Sequence, residues 1–171
     1  MDIEQIDPAG LERRIAEFAE LLVDCVAGGA SVGFLPPLPH EAAANYWLGL
    51  GRSIACGDRL LFGAIEDGRL AGTVQLDLPA MPNGRHRAEV MKLLVSPRGR
   101  RQGFGAKLMA RVETAAREHG RSLLVLDTKT GDAAEQLYRK IGYDTAGIIP
   151  GYALDSQGIP HATTILYRRI D

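Results

Sequence analysis

The chain has 171 residues, of which 46% are hydrophobic and 24% charged, with a net charge of −1 and a pI near 6.4. That length suits one domain over 1–171 with a core of its own, and the near-neutral balance argues against a general nucleic-acid binder, whose domain would be strongly basic. No segment approaches the ~20 apolar residues that cross a bilayer, and the start Met1-Asp2-Ile3-Glu4 lacks the basic and apolar regions of a signal peptide, so a cytoplasmic protein without membrane partners is expected.

Leu11, Ile15, Phe18, Leu22 and Cys25 recur at helical spacing behind Asp7-Pro8, which predicts a helix over about 8–27. The glycines and prolines of GGASVGFLPPLPHE then impose an irregular loop. A second helix over about 40–56 would turn Ala44, Trp47, Leu48 and Ile54 inward. LLFGAI (60–65), the hairpin signal Asp67-Gly68, LAGTVQLDL (70–78), a turn at PNG (82–84) and RAEVMKLLV (87–95) read as an antiparallel meander.

Phe104, Leu108, Val112 and Ala115 next define an amphipathic helix ending near Gly120. SLLVLDT (122–128) is a continuous apolar run without alternation, expected to be a buried strand. Strand, helix and strand across 87–128 form a βαβ unit, so those two strands should be parallel. Ala134, Leu137, Tyr138 and Ile141 mark a short helix that stops at Gly142. A strand near 144–149, a turn at DSQG (155–158) and a last strand at 163–169 complete an α/β chain with a mixed sheet. Cys25 and Cys56 fit no C-x-x-C or Cys/His metal pattern and read as buried or half-buried thiols, with no metal site expected.

The segment SPRGRRQGFGAKL (96–108) concentrates Arg98, Arg100, Arg101, Gly99, Gly103 and Gly105 between a strand and a helix. It fails the phosphate-loop pattern, because Phe104 stands five residues after Gly99 and Gly105 is followed by Ala106-Lys107. It fails the dinucleotide pattern at Leu108. The physics still favours a phosphate. A glycine-rich turn entering a helix leaves backbone N–H groups unpaired at the positive end of the helix dipole. Glycine permits close approach, and arginine offers bidentate contacts to phosphate oxygens.

The spacing Arg100-x-x-Gly103-x-Gly105, after a strand ending Val95-x-Pro97, resembles the pyrophosphate loop of the GCN5-related N-acetyltransferases (the GNAT superfamily). The later stretch AEQLYRKIGY, with Tyr138 and Gly142-Tyr143, is similar to a second motif of that family. GGASVGF, PNG, RAEVMKL, LDT and PGYA further resemble toxin-resistance members, which acetylate a β-lactam amino-acid toxin and set the first of these segments beside the substrate cavity. One departure is Gly131, where many members carry an asparagine that touches the cofactor.

The resemblance implies a single-domain fold with a mostly antiparallel sheet of about six to seven strands. It also implies acetyl-CoA as the acetyl donor and a primary amine of a small molecule as acceptor. It assigns the cofactor to Arg100, Arg101, Gln102, Gly103, Phe104, Gly105 and Ala106, and the thioester carbonyl to a backbone N–H at Leu94 or Val95. Tyr138 is the expected acid for the leaving thiolate. An alkylammonium with a pKa near ~10.4 must lose a proton before it attacks, so a base or a water relay to a carboxylate is needed. Glu89 is a candidate for that role; Asp127 is either base, substrate anchor or a structural acceptor at the end of its strand. His86 and His161 read as solvent-exposed, and Tyr152 and Asp155 as either pocket lining or turn chemistry. An acyl-CoA-binding domain without turnover is the rival reading, as are polyamine, aminoglycoside or protein amines as acceptors. A homodimer stays open, since dimers of this family arise in several ways.

Overall fold

The computed structural model describes residues 2–171. One seven-stranded sheet runs through the molecule in the order β1-β2-β3-β4-β5-β7-β6. Its strands are β1 (Asp2–Gln5), β2 (Arg59–Glu66), β3 (Arg69–Asp77), β4 (Arg87–Val95), β5 (Leu123–Lys129), β6 (Asp144–Leu154) and β7 (Pro160–Arg169). Every neighbouring pair is antiparallel except β4 and β5, which are parallel as the βαβ pattern requires.

Helices cover both faces. The α5 helix (Phe104–Glu118) buries Phe104, Leu108, Met109, Val112, Ala115 and Ala116 against β2–β5, together with Tyr138 of α6 (Ala133–Lys140). On the opposite face Leu61 and Leu94 meet α1 (Pro8–Arg13), α2 (Ile15–Ala27) and α3 (His40–Leu48). Trp47 is the anchor there, with its ring centroid 5.0 Å from Phe18 and 5.1 Å from Tyr46. Full burial of one such side chain is worth roughly 1.5–3 kcal/mol, so the periodic apolar residues of these helices fix their orientation on the sheet.

The expected 8–27 helix is broken at Arg14, whose φ/ψ of −105/15 leaves the helical region. The second helix is likewise split, at Gly49-Leu50, before α4 (Gly51–Ala55). Leu48 faces outward, at 45% exposure, because α3 packs through Ala43 and Trp47, which corrects its inward assignment. The β1 strand has no apolar alternation and was not foreseen; it exists because β2 offers it a free edge, pairing Ile3 with Ala64. β6 runs on to Leu154, and β7 starts at Pro160. Cys25 is buried, but Cys56 is exposed.

The β5 strand is buried only in part. Leu124 and Leu126 are buried, whereas Val125 is half-buried and Asp127 exposed. The reason is the β4–β5 junction, where only Arg87, Ala88 and Glu89 pair with Leu123, Leu124 and Val125. Beyond that third rung the two strands have no common ladder, and the sheet is open between them.

Candidate active site

The opening between β4 and β5 continues into a cavity of about 340 Å³. Its walls are residues 89–93 of β4, Asp127–Lys129 of β5, Tyr138 of α6, the loop residues Ala30–Gly33 and the β6–β7 side at Tyr152 and His161. The three carboxylate and phenol candidates, Glu89, Asp127 and Tyr138, all line this one cavity. Glu89 sits on the last rung, opposite Val125 on one side and Asp77 on the other. Asp127 follows two residues past that rung, where its Oδ2 accepts a 3.0 Å hydrogen bond from Thr163 Oγ1. Tyr138 is 5% exposed, and its hydroxyl is pushed well above the ordinary phenol range by burial and then by the Asp127 charge.

The glycine-rich entrance lies at the mouth of the opening. A Cβ on Gly105 would stand 2.8 Å from Leu137 Cδ2 and 3.9 Å from Leu93 Cδ2. Glycine therefore lets the first turn of α5 close in between β4 and α6. Arg101 (φ 63) and Gly103 (φ 83) are both left-handed, so successive backbone N–H groups curve around one concavity. Gly103 caps α5 with no side-chain hydrogen bond, and the first turn carries no acidic residue. The helix start is thus left open for an external anion. Gln102, Gly103 and Arg101 are exposed around it, while Phe104 is buried and anchors the turn. Gln102 bends back, donating from Nε2 to the Arg98 carbonyl at 2.8 Å. Arg100 is directed toward the end of α2: a Cβ on Gly28 would stand 3.3 Å from its Nη2. Its charge also opposes the rise that burial imposes on the Cys25 thiol. Ala106, on the first turn of α5, is half-buried.

The β4 strand carries a backbone irregularity before its end. Thr73 pairs with Leu94 and Gln75 with Met91, so Lys92 and Leu93 together face Val74 in a β-bulge. Lys92 is left-handed there, at φ 50. Leu94 is buried in the helix-side core, and the Val95 carbonyl accepts a contact of 3.5 Å from the Cys25 thiol. The backbone freed from the ladder beside the cavity is that of Lys92–Leu93.

Two further groups emerge only in three dimensions. Tyr46 from α3 accepts a 3.0 Å hydrogen bond from the buried Gln75, whose Oε1 accepts from Arg59, and Arg59 donates to Asp77 Oδ1 at 2.8 Å. His161, read as solvent-exposed, is a half-buried wall of the cavity, 2.8 Å from Asp155. Asp155 accepts two backbone N–H bonds, from Gln157 and Ile159, and so performs turn chemistry. Gly131 is left-handed at φ 86, and its N–H donates to Glu135 at 2.6 Å at the start of α6. Among the described residues no group of His, Cys, Asp or Glu is arranged to hold a metal ion, and no helix is long and apolar enough to cross a membrane.

The site thus joins a parallel strand pair that parts after three rungs to a glycine-rich helix start that packs against Leu93 and Leu137. The chain belongs to the acetyltransferase (GNAT) family, whose profile matches residues 24–143. A curated relative, described as an uncharacterized N-acetyltransferase in the hisH-hisA intergenic region of Azospirillum brasilense, is 33% identical over 108 residues. That match covers 62% of this chain and 62% of the relative's length. The fold is shared with a ribosomal-protein-alanine N-acetyltransferase from Brucella melitensis, at a TM-score of 0.81, 19% identity and 99% of both chains. It is also shared with yncA from Salmonella typhimurium, whose structure holds its cofactor acetyl-CoA, at a TM-score of 0.79, 18% identity, 100% of this chain and 94% of that one. At these identities the two structures establish the architecture, not the acceptor.

Proposed function

We propose that the protein is an acetyl-CoA-dependent N-acetyltransferase that moves the acetyl group directly to a primary amine of a small molecule. The observation that carries this reading is the single cavity shared by Glu89, Asp127 and Tyr138, with the open start of α5 at its mouth. The residues fit the donor. The backbone of 101–106 and the charge of Arg101 suit a pyrophosphate, and the gap between β4 and β5 suits an extended chain leading from it.

Acetyl-CoA, when bound, supplies an acyl carbon activated as a thioester. The protein's part is positional and acid–base. The Leu93 N–H, set beside the cavity by the β4 bulge, would donate to the carbonyl oxygen as charge gathers on it, with Leu94 next along the strand. Glu89 or Asp127 takes the proton of the incoming ammonium, directly or through water, so that a neutral nitrogen attacks. Tyr138 gives its proton to the departing sulfur. Its elevated affinity for that proton keeps it loaded at neutral pH, the form an acid must have before it donates.

For the acceptor we favour an amino-acid-like amine. GGASVGF, PNG, RAEVMKL, LDT and PGYA resemble tabtoxin resistance protein, and residues 30–33 of the first stretch flank the cavity. We also carry forward a homodimer as the partner reading, supported by the exposed Ile148, Ile149 and Leu154 on the edge strand β6; a monomer in sedimentation removes it. Thiol release from acetyl-CoA, followed across a panel of primary amines, tests the activity. Release should require protein and amine together. Calorimetric binding of acetyl-CoA without release by any amine would instead select the acyl-CoA-binding reading.

A further inference from the structure

Lys92 is the most costly residue in the cavity. Its backbone is left-handed, at φ 50, a conformation that side chains with a Cβ rarely adopt. It occupies a bulge, which re-aims a side chain that a regular strand would direct elsewhere. Its ammonium lies 5.8 Å from the centroid of the Tyr46 ring, and a Cβ on Gly33 would approach it to 3.7 Å. It takes part in none of the ion pairs of the described residues. A half-buried cation, strained into position and left unpaired, points to a ligand that supplies the missing anion.

The location identifies which ligand. The cradle at the start of α5 already accounts for the phosphates. Lys92 instead lies beside Gly33 of the 30–33 wall and the Tyr46 ring of α3, the side that the proposed function gives to the acceptor. Burial weakens its hold on the proton, Asp127 strengthens it and Arg59 opposes it; an incoming carboxylate would act in the same direction as Asp127. Cationic acceptors such as polyamines and aminoglycosides place a second positive charge beside this one.

We propose that the Lys92 ammonium binds the carboxylate of the acceptor, making the cavity selective for amino-acid-like zwitterions whose amine faces Glu89 and Asp127. The inference rests on the acetyltransferase reading above and adds its specificity determinant.

The experiment compares free α-amino acids with their carboxamides, using acetyl-CoA as donor. Wild type should prefer the acid over the amide by about 10–100-fold in kcat/KM, the range of a charge-assisted hydrogen bond, carried mainly by KM. Lys92→Gly relieves the backbone strain, so it should melt no lower than wild type while the acid-to-amide ratio collapses toward one. Lys92→Arg should restore most of the ratio. Binding of N-acetyl amino acids and N-acetyl amino amides is titrated alongside, because it needs no turnover. Wild-type discrimination in binding that Lys92→Gly loses supports the carboxylate site even if no acceptor is acetylated, and then only the acetyltransferase reading falls. Turnover without acid-over-amide preference overturns the carboxylate site alone. Equal loss on acids and amides in Lys92→Gly, with the acid limb of the pH–rate profile flattened, overturns it in favour of a proton-transfer role.

Discussion

The adjacent pair Tyr138 and Tyr143 allows the acid role to be separated from packing. Their ring centroids are 5.8 Å apart and both are buried, at 5% and 3% exposure. Only Tyr138 lines the cavity. The Tyr143 hydroxyl is buried with no hydrogen-bond partner, so it carries a desolvation cost that Tyr143→Phe removes. The expected gain is about 1 kcal/mol, or about 2–4 °C in Tm for a chain of this size. Tyr138→Phe also removes only an oxygen from a ring that packs through its carbons, and should stay within about 1 kcal/mol of wild type. Its effect belongs to turnover: loss of a positioned acid lowers kcat by about 10²–10⁴-fold, with acetyl-CoA affinity unchanged because no ground-state contact is lost. Thermal melts, acetyl-CoA calorimetry and steady-state thiol release on both variants make the comparison. A Tyr138→Phe enzyme within twofold of wild type in kcat would refute the assignment, as would an equal loss in Tyr143→Phe.

Other substitutions test the frame around the site. Gly103→Ala has open space but a φ of 83, so it should cost about 1–2 kcal/mol in stability and weaken acetyl-CoA binding, both read by melts with and without ligand. Gly131→Asn places the residue that best tolerates a left-handed backbone at φ 86, where its Cβ meets nothing within 4 Å. It should fold normally and tighten acetyl-CoA binding by calorimetry; weaker binding would show that position 131 does not face the cofactor. Asp155 is held down to about 2 by His161 and the N–H groups of Ile159 and Gln157. A lowered folded-state value stabilises above the ordinary carboxylate range and is lost as pH falls toward 2. Wild type should therefore lose β6–β7 hairpin protection in amide exchange between about pH 4 and 2, whereas Asp155→Asn should be less protected at neutral pH and nearly flat over that interval.

The parallel pairing across 87–128 and the tight turns were legible because local chemistry decides them. Asp67-Gly68 adopts the two positive φ values its hairpin needs, 49 and 78, and Gly103 takes the left-handed turn that only glycine enters freely. What escaped was set by tertiary partners. β1 is a strand because an edge awaits it, and Leu48 faces out because α3 packs through Ala43 and Trp47 instead. Tyr46, Gln75, Arg59 and Lys92 lie on separate elements, and nothing in their spacing announces that they meet. The bulge was the least legible feature, since a lysine is among the last residues expected at φ 50.

The three-rung junction between β4 and β5 also bears on how the molecule holds together. Two blocks of ladder, β1–β4 and β5–β7, meet there almost edge to edge, and the shared core beneath α5 is their principal mortar. A chain-like ligand lying in the gap would act as an eighth, borrowed strand that spans the seam. Cofactor loading would then be a mechanical event as much as a chemical one: the loaded protein resists parting along this line, and the empty one opens there first.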